Sequence, residues 1–218
     1  MNSKWEYNEY YKNHDMSVDI QTGTGIVKVH NVFDPLPDFM KQADCIFVDP
    51  PCNLSNINSF YTKADRLDYQ QSYLPFQNRL FECIDEISPK RLFLEVFTSN
   101  LAAFKAECEK RFKNVRTYNT TYYFNKRNKC YILACDNEET LCEYPFDGID
   151  EETAIEWICK SVYFDCIGDL CMGQGLVGWY ANQAGKRFVG TELNLKRLAV
   201  LVESIETNKK LQGKRKSK

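Results

Sequence analysis

A carboxylate followed by two prolines ends one of the apolar stretches of the sequence. The residues Asp49-Pro50-Pro51-Cys52 follow directly on 45–48, whose composition is typical of a buried strand. Proline has a fixed φ and donates no hydrogen bond, so the turn is stiff and its carbonyl oxygens can accept hydrogen bonds. Open α/β sheets bind ligands where such strands end. The tetrapeptide therefore predicts either an ordinary strand-ending turn or a rigid group of acceptors that holds a substrate.

A second group of candidate residues lies in a strand, glycine turn, helix and strand pattern over 164–194. Asp169 lies at the end of the first strand, and Gly173 and Gly175 in the turn let the backbone approach a ligand closely. Glu192 ends the next strand and is placed to accept hydrogen bonds from a ribose diol. The pattern predicts a site for a cofactor that contains a nucleoside.

Two cofactors fit this second group. Gly173, Gly175 and Gly178 match the G-x-G-x-x-G fingerprint of nicotinamide dinucleotides, and Glu192 is placed as its ribose-binding acid. S-adenosylmethionine is the alternative, because Asp169 would be poorly placed beside a pyrophosphate but can face a cationic methionine group. Asp169 therefore favours S-adenosylmethionine. Binding of NAD, and a strand–helix unit that binds no ligand, remain as alternatives.

Composition restricts the class of protein. The chain has 218 residues, 44% of them hydrophobic, which suits one large α/β domain. The formal net charge is −2, so binding to nucleic acid has to be local or assisted by a partner. The ten cysteines form no C-x-x-C pair and there are only two histidines, which predicts reduced thiols in a cytoplasmic protein without a structural metal. No apolar run approaches the roughly 18 residues of a membrane span.

Strand and helix patterns alternate along the chain and meet a hairpin pattern near its middle, which predicts a mostly parallel sheet. The predicted strands are 26–30, 45–48, 91–97, 115–124, 130–135, 164–170 and 188–192, and the predicted helices are 76–87, 101–112, 151–161, 175–184 and 195–207. Between these elements we expect a long loop over 53–75 that is functional or mobile, a basic turn over 125–129 and an acidic connector over 136–150. Residues 1–24 are expected to form an arm and 209–218 a basic, disordered tail.

Together the two groups resemble motifs of the DNA amino-methyltransferases. Asp49 to Cys52 is similar to their D-P-P-Y/F/W motif, and 169–175 with 185–194 is similar to their cofactor motif, D-P-F-x-G-x-G-T…G-R-x-F-I-G-x-E. The motif order is that of the circularly permuted β-type subgroup. The resemblance covers about 25–207. It implies a Rossmann-like methyltransferase fold over 25–208, with a seven-stranded, mostly parallel sheet that has one antiparallel strand.

The resemblance also implies roles for individual residues. The carboxylate of Asp49 and the carbonyl of Pro50 would accept hydrogen bonds from a target amino group, and Pro51 and Cys52 complete the predicted catalytic motif. Asp169, Gly173 and Gly175 would line the methionine end of S-adenosylmethionine, and Glu192 would bind its ribose. The strand end within 26–34 could supply an adenine contact, from Asn31 or Asp34. This predicted cofactor set is Asn31, Asp169, Met172, Gly173, Gly175 and Glu192.

The sequence departs from the family at three places. Cys52 cannot stack on a base as an aromatic ring does, so holding the base would be weakened or would pass to Phe60, Tyr61, Tyr69 or Tyr73. The cofactor turn has 170–172 as Leu-Cys-Met where Pro-Phe-x is usual, and Met172 can still pack against a ligand. Only about fifteen residues, 136–150, occupy the gap where the family usually inserts a target-recognition region.

These features predict an S-adenosylmethionine-dependent methyltransferase that acts on an amino group of a flipped base in DNA. The leading Asp49 favours adenine over cytosine. The predicted DNA contacts are Phe60, Tyr61, Lys63, Arg66, Lys126 and Arg127. Without a recognition region, specificity would be short or relaxed, or a partner would supply it. Besides DNA, the predicted partners are a second copy of the chain in a homodimer or a separate specificity partner. The alternatives are a weakly active or non-catalytic subunit and a methyltransferase for RNA or protein.

Overall fold

The computed structural model describes residues 5–6, 9–122, 125–139, 142–212 and 214–215. Side chains are described for these ranges except at 5–6, 125–128 and 214–215. The strands are β1 (Trp5–Glu6), β2 (Ile20–Thr22), β3 (Gly25–Val29), β4 (Cys45–Val48), β5 (Arg91–Phe97), β6 (Asn114–Tyr122), β7 (Asn125–Asp136), β8 (Cys166–Asp169), β9 (Arg187–Glu192) and β10 (Lys214–Arg215). The α-helices are α1 (Leu54–Lys63), α2 (Leu74–Ile87), α3 (Leu101–Glu109), α4 (Glu151–Ser161), α5 (Leu176–Gln183) and α6 (Leu195–Thr207). No helix within the described ranges is long and apolar enough to span a membrane.

The main sheet has eight strands in the order β2-β3-β9-β8-β4-β5-β7-β6. The five strands from β3 to β5 in this order run parallel, and β7 is antiparallel to both of its neighbours. The predicted α/β fold with a mostly parallel sheet is therefore confirmed. A separate pairing of β1 with β10 joins the two ends of the described chain. The division into arm, domain and tail stays a prediction.

The predicted number of seven strands, with one antiparallel, was wrong by one edge strand. β2 lies inside the expected arm and pairs antiparallel with β3, where Thr22 is opposite Gly25. The two residues between them form a tight turn. Gly23 takes a φ of 51°, which other residues rarely adopt, so this turn closes a hairpin within the expected arm.

The expected loop over 53–75 was also wrong, because α1 occupies its first half. The side chain of Asn53 accepts a hydrogen bond from the backbone N–H of Asn56 and caps the helix. Ile57 and Tyr61 lie one turn apart and are buried against the sheet. The neighbouring polar residues, among them Asn58 and Ser59, make this short apolar stripe difficult to recognise in the sequence.

The expected basic turn over 125–129 lies instead in the backbone of β7, which begins at Asn125. Thr121 pairs with Lys129 and Tyr122 with Asn125, with a shift of register between the two pairs. The polar composition suggested a turn, but backbone pairing to β6 continues past the apolar part of the strand.

Helices cover both faces of the sheet, and side-chain alternation along the strands decides which core each residue joins. In β4, Ile46 and Val48 pack towards α1, α2 and α3, whereas Cys45 and Phe47 pack towards α4, α5 and α6. All four are at most 1% exposed, as expected for a parallel strand covered on both sides. Asp49 continues this strand on the face of Phe47.

The predicted acidic connector is anchored by aromatic side chains. Tyr144 and Phe146 are stacked with their ring centroids 5.3 Å apart. Phe93 of the sheet and Trp157 of α4 pack edge-on against Phe146. This cluster fixes the start of α4 close to the ends of β4 and β5.

Candidate active site

A cavity of about 700 Å³ opens at the carboxyl ends of the parallel strands β3, β9, β8 and β4. The last residue of each of these strands, or the loop that follows it, contributes a polar side chain to the wall, as expected for ligand sites in open α/β sheets. The cavity brings together most residues that the sequence nominated. They are Asn31, Asp49, Pro50, Pro51, Cys52, Phe60, Tyr61, Lys63, Asp169, Met172, Gly173, Gly175 and Glu192.

Arg66 is the nominated contact among the described side chains that does not line this wall. The guanidinium of Arg66 lies at the surface, where Nη2 is 3.0 Å from the carboxylate of Asp68. The side chains of Lys126 and Arg127 lie outside the described residues. Their predicted contact with DNA therefore stays a prediction.

Glu192 holds the glycine turn in place. Its Oε2 accepts a hydrogen bond of 2.7 Å from the backbone N–H of Gly173, and its Oε1 accepts one of 3.0 Å from that of Asn194. A carboxylate has about four acceptor positions, so these two bonds leave capacity for two hydroxyl groups. Glu192 can therefore shape the turn and also bind a diol.

The two glycines of the turn have backbone conformations that favour glycine. Gly173 has a φ of 57° and Gly175 a φ of 82°. A Cβ atom on Gly175 would lie 2.5 Å from Cβ of Leu201 in α6, which no real contact allows. The turn is therefore shaped by packing on α6 as well as by any ligand.

Asp169 provides a buried acid at the end of β8. It is 4% exposed, and its Oδ1 accepts a hydrogen bond of 2.9 Å from the backbone N–H of Cys171. Burial raises the pKa of this carboxyl well above its usual range. A bound cation in front of it would restore the ionised form, so the site is chemically suited to a positively charged ligand.

Arg197, which joins the nominated Lys63 on one side of the cavity, was missed by the sequence reasoning. Arg197 projects from α6 over the ring of Phe60, 5.1 Å from its centroid, and Lys63 lies over the same ring at 5.1 Å. Arg197 also packs across the glycine turn, because a Cβ on Gly173 would lie 2.6 Å from its Nη2. Arg197 lies in an amphipathic helix of ordinary composition, so the sequence pattern did not indicate that it faces the cavity. These cations can bind a carboxylate group of a ligand.

Tyr61 and Asn31 lie together at the far side of the cavity. The hydroxyl of Tyr61 donates a hydrogen bond of 2.9 Å to Oδ1 of Asn31, and the tyrosine is 3% exposed. Asn31 follows β3, which is three strands away from β4, or about 14 Å. Tyr61 therefore forms wall beside the predicted adenine contact and not beside Asp49.

Asp49 lies half-buried in the wall of the cavity, next to an aromatic pair. The hydroxyl of Tyr122 in β6 donates a hydrogen bond of 3.1 Å to its Oδ2. Burial raises the pKa of Asp49 to about 6, while the Tyr122 hydrogen bond and the charge of Arg197 act against this rise. Phe97 packs edge-on against Tyr122, with ring centroids 5.6 Å apart.

Sequence reasoning missed both Phe97 and Tyr122, because only the sheet order brings β5 and β6 to this position. Both rings line the cavity near Asp49. They supply an aromatic surface at the place where Cys52 lacks one.

The proline turn is fixed by side chains on both flanks. The hydroxyl of Tyr73 donates a hydrogen bond of 2.7 Å to the carbonyl of Pro51, and the amide of Asn100 lies 3.4 Å from the carbonyl of Cys52. The thiol of Cys52 donates to Oδ1 of Asn56 at 2.7 Å. Tyr73, considered above as a surface for a base, is therefore bound to the turn and supports the backbone around Pro50.

No protein-family model matches the chain, and no curated protein is similar to it in sequence. Solved structures share its fold at low identity. The crystal structure of M1.HpyAVI is 12% identical, with a TM-score of 0.55 over 81% of this chain and 96% of that one. TTHA0409 from Thermus thermophilus, named as a putative DNA modification methylase, is 14% identical in its complex with S-adenosyl-L-methionine. Its TM-score is 0.56 over 79% of this chain and 89% of that one.

A third similar structure is the PvuII DNA methyltransferase, which is named cytosine-N4-specific. It is 8% identical, with a TM-score of 0.52 over 86% of this chain and 93% of that one. M1.HpyAVI has also been solved as a complex with S-adenosylmethionine, which is 13% identical to this chain with a TM-score of 0.54. At these identities the likeness shows a methyltransferase-type α/β fold and no more.

Proposed function

We propose that the protein is an S-adenosylmethionine-dependent methyltransferase that acts on an exocyclic amino group of a base in DNA, with adenine favoured. One observation carries the proposal: Asp49 at the end of β4 and the Asp169–Gly175 turn at the end of β8 line the same cavity on adjacent strands. A methyl donor on the turn and an amino group on Asp49 would therefore be neighbours.

The residues of the turn fit S-adenosylmethionine better than a dinucleotide. Asp169 is a buried acid whose raised pKa calls for a nearby positive charge, and a pyrophosphate would add negative charge there. Glu192 has acceptor capacity for the ribose hydroxyls, and Asn31 lies at the adenine end. Arg197 and Lys63 offer cations to the methionine carboxylate. When bound, the cofactor supplies an electrophilic methyl group on a sulfonium.

Asp49 acts on the target amino group by position and charge. With a pKa of about 6, it is ionised at neutral pH and can accept a hydrogen bond from one amino N–H, while the carbonyl of Pro50 accepts from the other. Both bonds turn the nitrogen lone pair towards the methyl carbon for in-line transfer. Asp49 or water would accept the proton that the amino nitrogen loses on methylation.

The edge-on pair of Phe97 and Tyr122 supports a role in holding the base. Base–aromatic contacts are worth about 1–3 kcal/mol per base, and they tolerate any base with a π-face. These rings lie next to Asp49, whereas Cys52 has no ring to offer. The preference for adenine rests on the leading acid of the D-P-P-C motif.

Cofactor binding is tested first, by calorimetric titration with S-adenosylmethionine, adenosine and NAD. Asp169→Asn is expected to weaken S-adenosylmethionine about tenfold or more, because it removes a charged partner of the methionine group. Adenosine has no such group, so its affinity should not change. Binding of NAD without binding of S-adenosylmethionine would refute the cofactor assignment.

Transfer of a tritiated methyl group to DNA, RNA and protein then tests the reaction. Asp49→Ala is expected to lose activity while it still binds cofactor, and Asp38→Asn, whose side chain is 95% exposed, should keep it. Transfer of the label to RNA or protein and not to DNA would refute DNA as the substrate and identify the labelled class in its place. Equal background transfer by wild type and Asp49→Ala, with cofactor binding intact, would identify a non-catalytic subunit.

A further inference from the structure

Three carboxyl groups converge at the edge of the cavity. One oxygen from each of Asp49, Glu95 and Glu151 lies within 4.8 Å of the other two. Asp49 and Glu95 are neighbours because Val48 of β4 pairs with Leu94 of β5, so the next residue of each strand emerges on the same face. Glu151 is the first residue of α4, which covers that face.

Glu95 is the unusual member of this cluster. Its side chain is completely buried, and neither carboxylate oxygen accepts a well-formed hydrogen bond from any described residue. Burial raises the pKa of Glu95 well above its usual range, and the nearby acids Glu151 and Asp49 and the thiol of Cys130 act in the same direction. An unpartnered buried carboxylate is costly, and proteins normally pair such a group or place it on a metal.

The other buried acids of the sheet ends do not share this property. Asp169 and Glu192 accept backbone N–H groups, and Asp136 accepts a hydrogen bond from the side chain of Asn114. Asp150 caps α4 by accepting from the N–H of Glu152. Glu95 thus differs from four acids in similar surroundings, which indicates a missing partner in the space between Glu95, Asp49 and Glu151.

We infer that Asp49, Glu95 and Glu151 form a binding site for one divalent cation of the Ca²⁺ or Mn²⁺ kind. All three ligands are carboxylate oxygens, which hard divalent cations prefer and which soft thiolate-seeking metals do not. Ca²⁺ binds oxygens at about 2.3–2.6 Å, so two ligands on opposite sides of it are about 5 Å apart at most. The spacing within 4.8 Å therefore lets a single ion contact all three groups with little movement.

The cation has a route to this position. Asp49 and Glu151 both line the large cavity, while Glu95 lies behind them. Water molecules in the cavity would complete the coordination on the open side, as is usual for hard cations that have few protein ligands. The cation site shares Asp49 with the proposed methyl transfer, but binding of a cation to the three carboxylates does not require that reaction.

Direct titration with Mn²⁺ tests the site. The full-length protein is stripped with EDTA, dialysed, and titrated while free Mn²⁺ is followed by electron paramagnetic resonance. One bound ion per chain is expected for the wild type, with competition by Ca²⁺. Glu95→Gln and Glu151→Gln should each weaken binding about tenfold or more, because each removes one charged ligand.

Glu206→Gln is the matched control. Glu206 belongs to a second group of possible ligands, with His14 and Glu203, in which the histidine is already bonded to Glu203 at 3.3 Å. This variant should bind Mn²⁺ like the wild type. Loss of binding in Glu206→Gln, or equal binding by wild type, Glu95→Gln and Glu151→Gln, would overturn the inference.

Thermal unfolding provides the second readout and checks that the variants fold. Ca²⁺ should raise the midpoint of the wild type, since a ligand of the native state stabilises it by mass action. The rise should be smaller in Glu151→Gln at the same Ca²⁺ concentration, and this change alters a residue at the cavity surface and keeps the helix start. Absence of Mn²⁺ binding by folded wild type at millimolar concentration would also refute the site.

Discussion

Replacing Asp49 by Asn is expected to stabilise the protein at high pH and not at low pH. The folded state raises the pKa of Asp49 from 3.8 to about 6, chiefly through burial. The folded protein therefore binds this proton more tightly than the unfolded chain does. The free energy of unfolding falls as the pH rises from about 4 to about 6, and it stays lower above that range.

The size of the effect follows from this difference in pKa. A rise from 3.8 to about 6 corresponds to a loss of about 3 kcal/mol at pH 8, and water in the cavity makes this an upper value. The asparagine side chain of the variant stays neutral and can still accept the hydrogen bond from Tyr122. For a chain of 218 residues, the variant should melt up to about 6–12 °C above the wild type at pH 8. The two should melt together near pH 4.

Thermal unfolding followed by circular dichroism at pH 4, 6 and 8, with EDTA present, measures this difference. Asp38→Asn is the matched control, because it makes the same change of residue at a carboxylate that is exposed on the surface. Glu95 and Glu151 add to the effect in the same direction, since a neutral residue at position 49 relieves their repulsion. An Asp49→Asn variant that melts at or below the wild-type temperature at pH 8 would refute this account of the buried acid.

Two further predictions concern Tyr122 and the glycine turn. Tyr122→Phe removes a hydrogen bond to the charged form of Asp49 that is worth about 1.5 kcal/mol. The pH below which the methyl-transfer rate falls should therefore rise by about one unit. An unchanged pH profile on the acid side under single-turnover conditions would contradict this prediction. Gly175→Ala should destabilise the protein more than Gly148→Ala in urea unfolding, by about 1–3 kcal/mol. Both glycines have positive φ, but only at Gly175 would the new Cβ collide with another residue, Leu201. Equal losses of unfolding free energy in the two variants would show that the collision is relieved.

Short apolar runs and glycine turns were sufficient to predict most of the parallel sheet. Cys45 to Val48 is a continuous apolar run because both faces of β4 are covered, and that pattern is local to the chain. The prediction failed where backbone pairing or capping decides the structure. β2 depends on the hairpin turn at Gly23, and α1 depends on the Asn53 cap and two buried side chains.

The sequence by itself determined the two motifs that line the cavity, since Asp49 and the Asp169–Gly175 turn each follow a strand that its own residues define. The tertiary structure alone decided what surrounds them. Tyr122 is 73 residues from Asp49, and only the order of β4, β5, β7 and β6 brings the two together. In the sequence, Glu95 is a single charged residue within an apolar run. The register of β4 with β5 places it beside Asp49. Strand periodicity is local, whereas register and sheet order depend on packing across the whole chain.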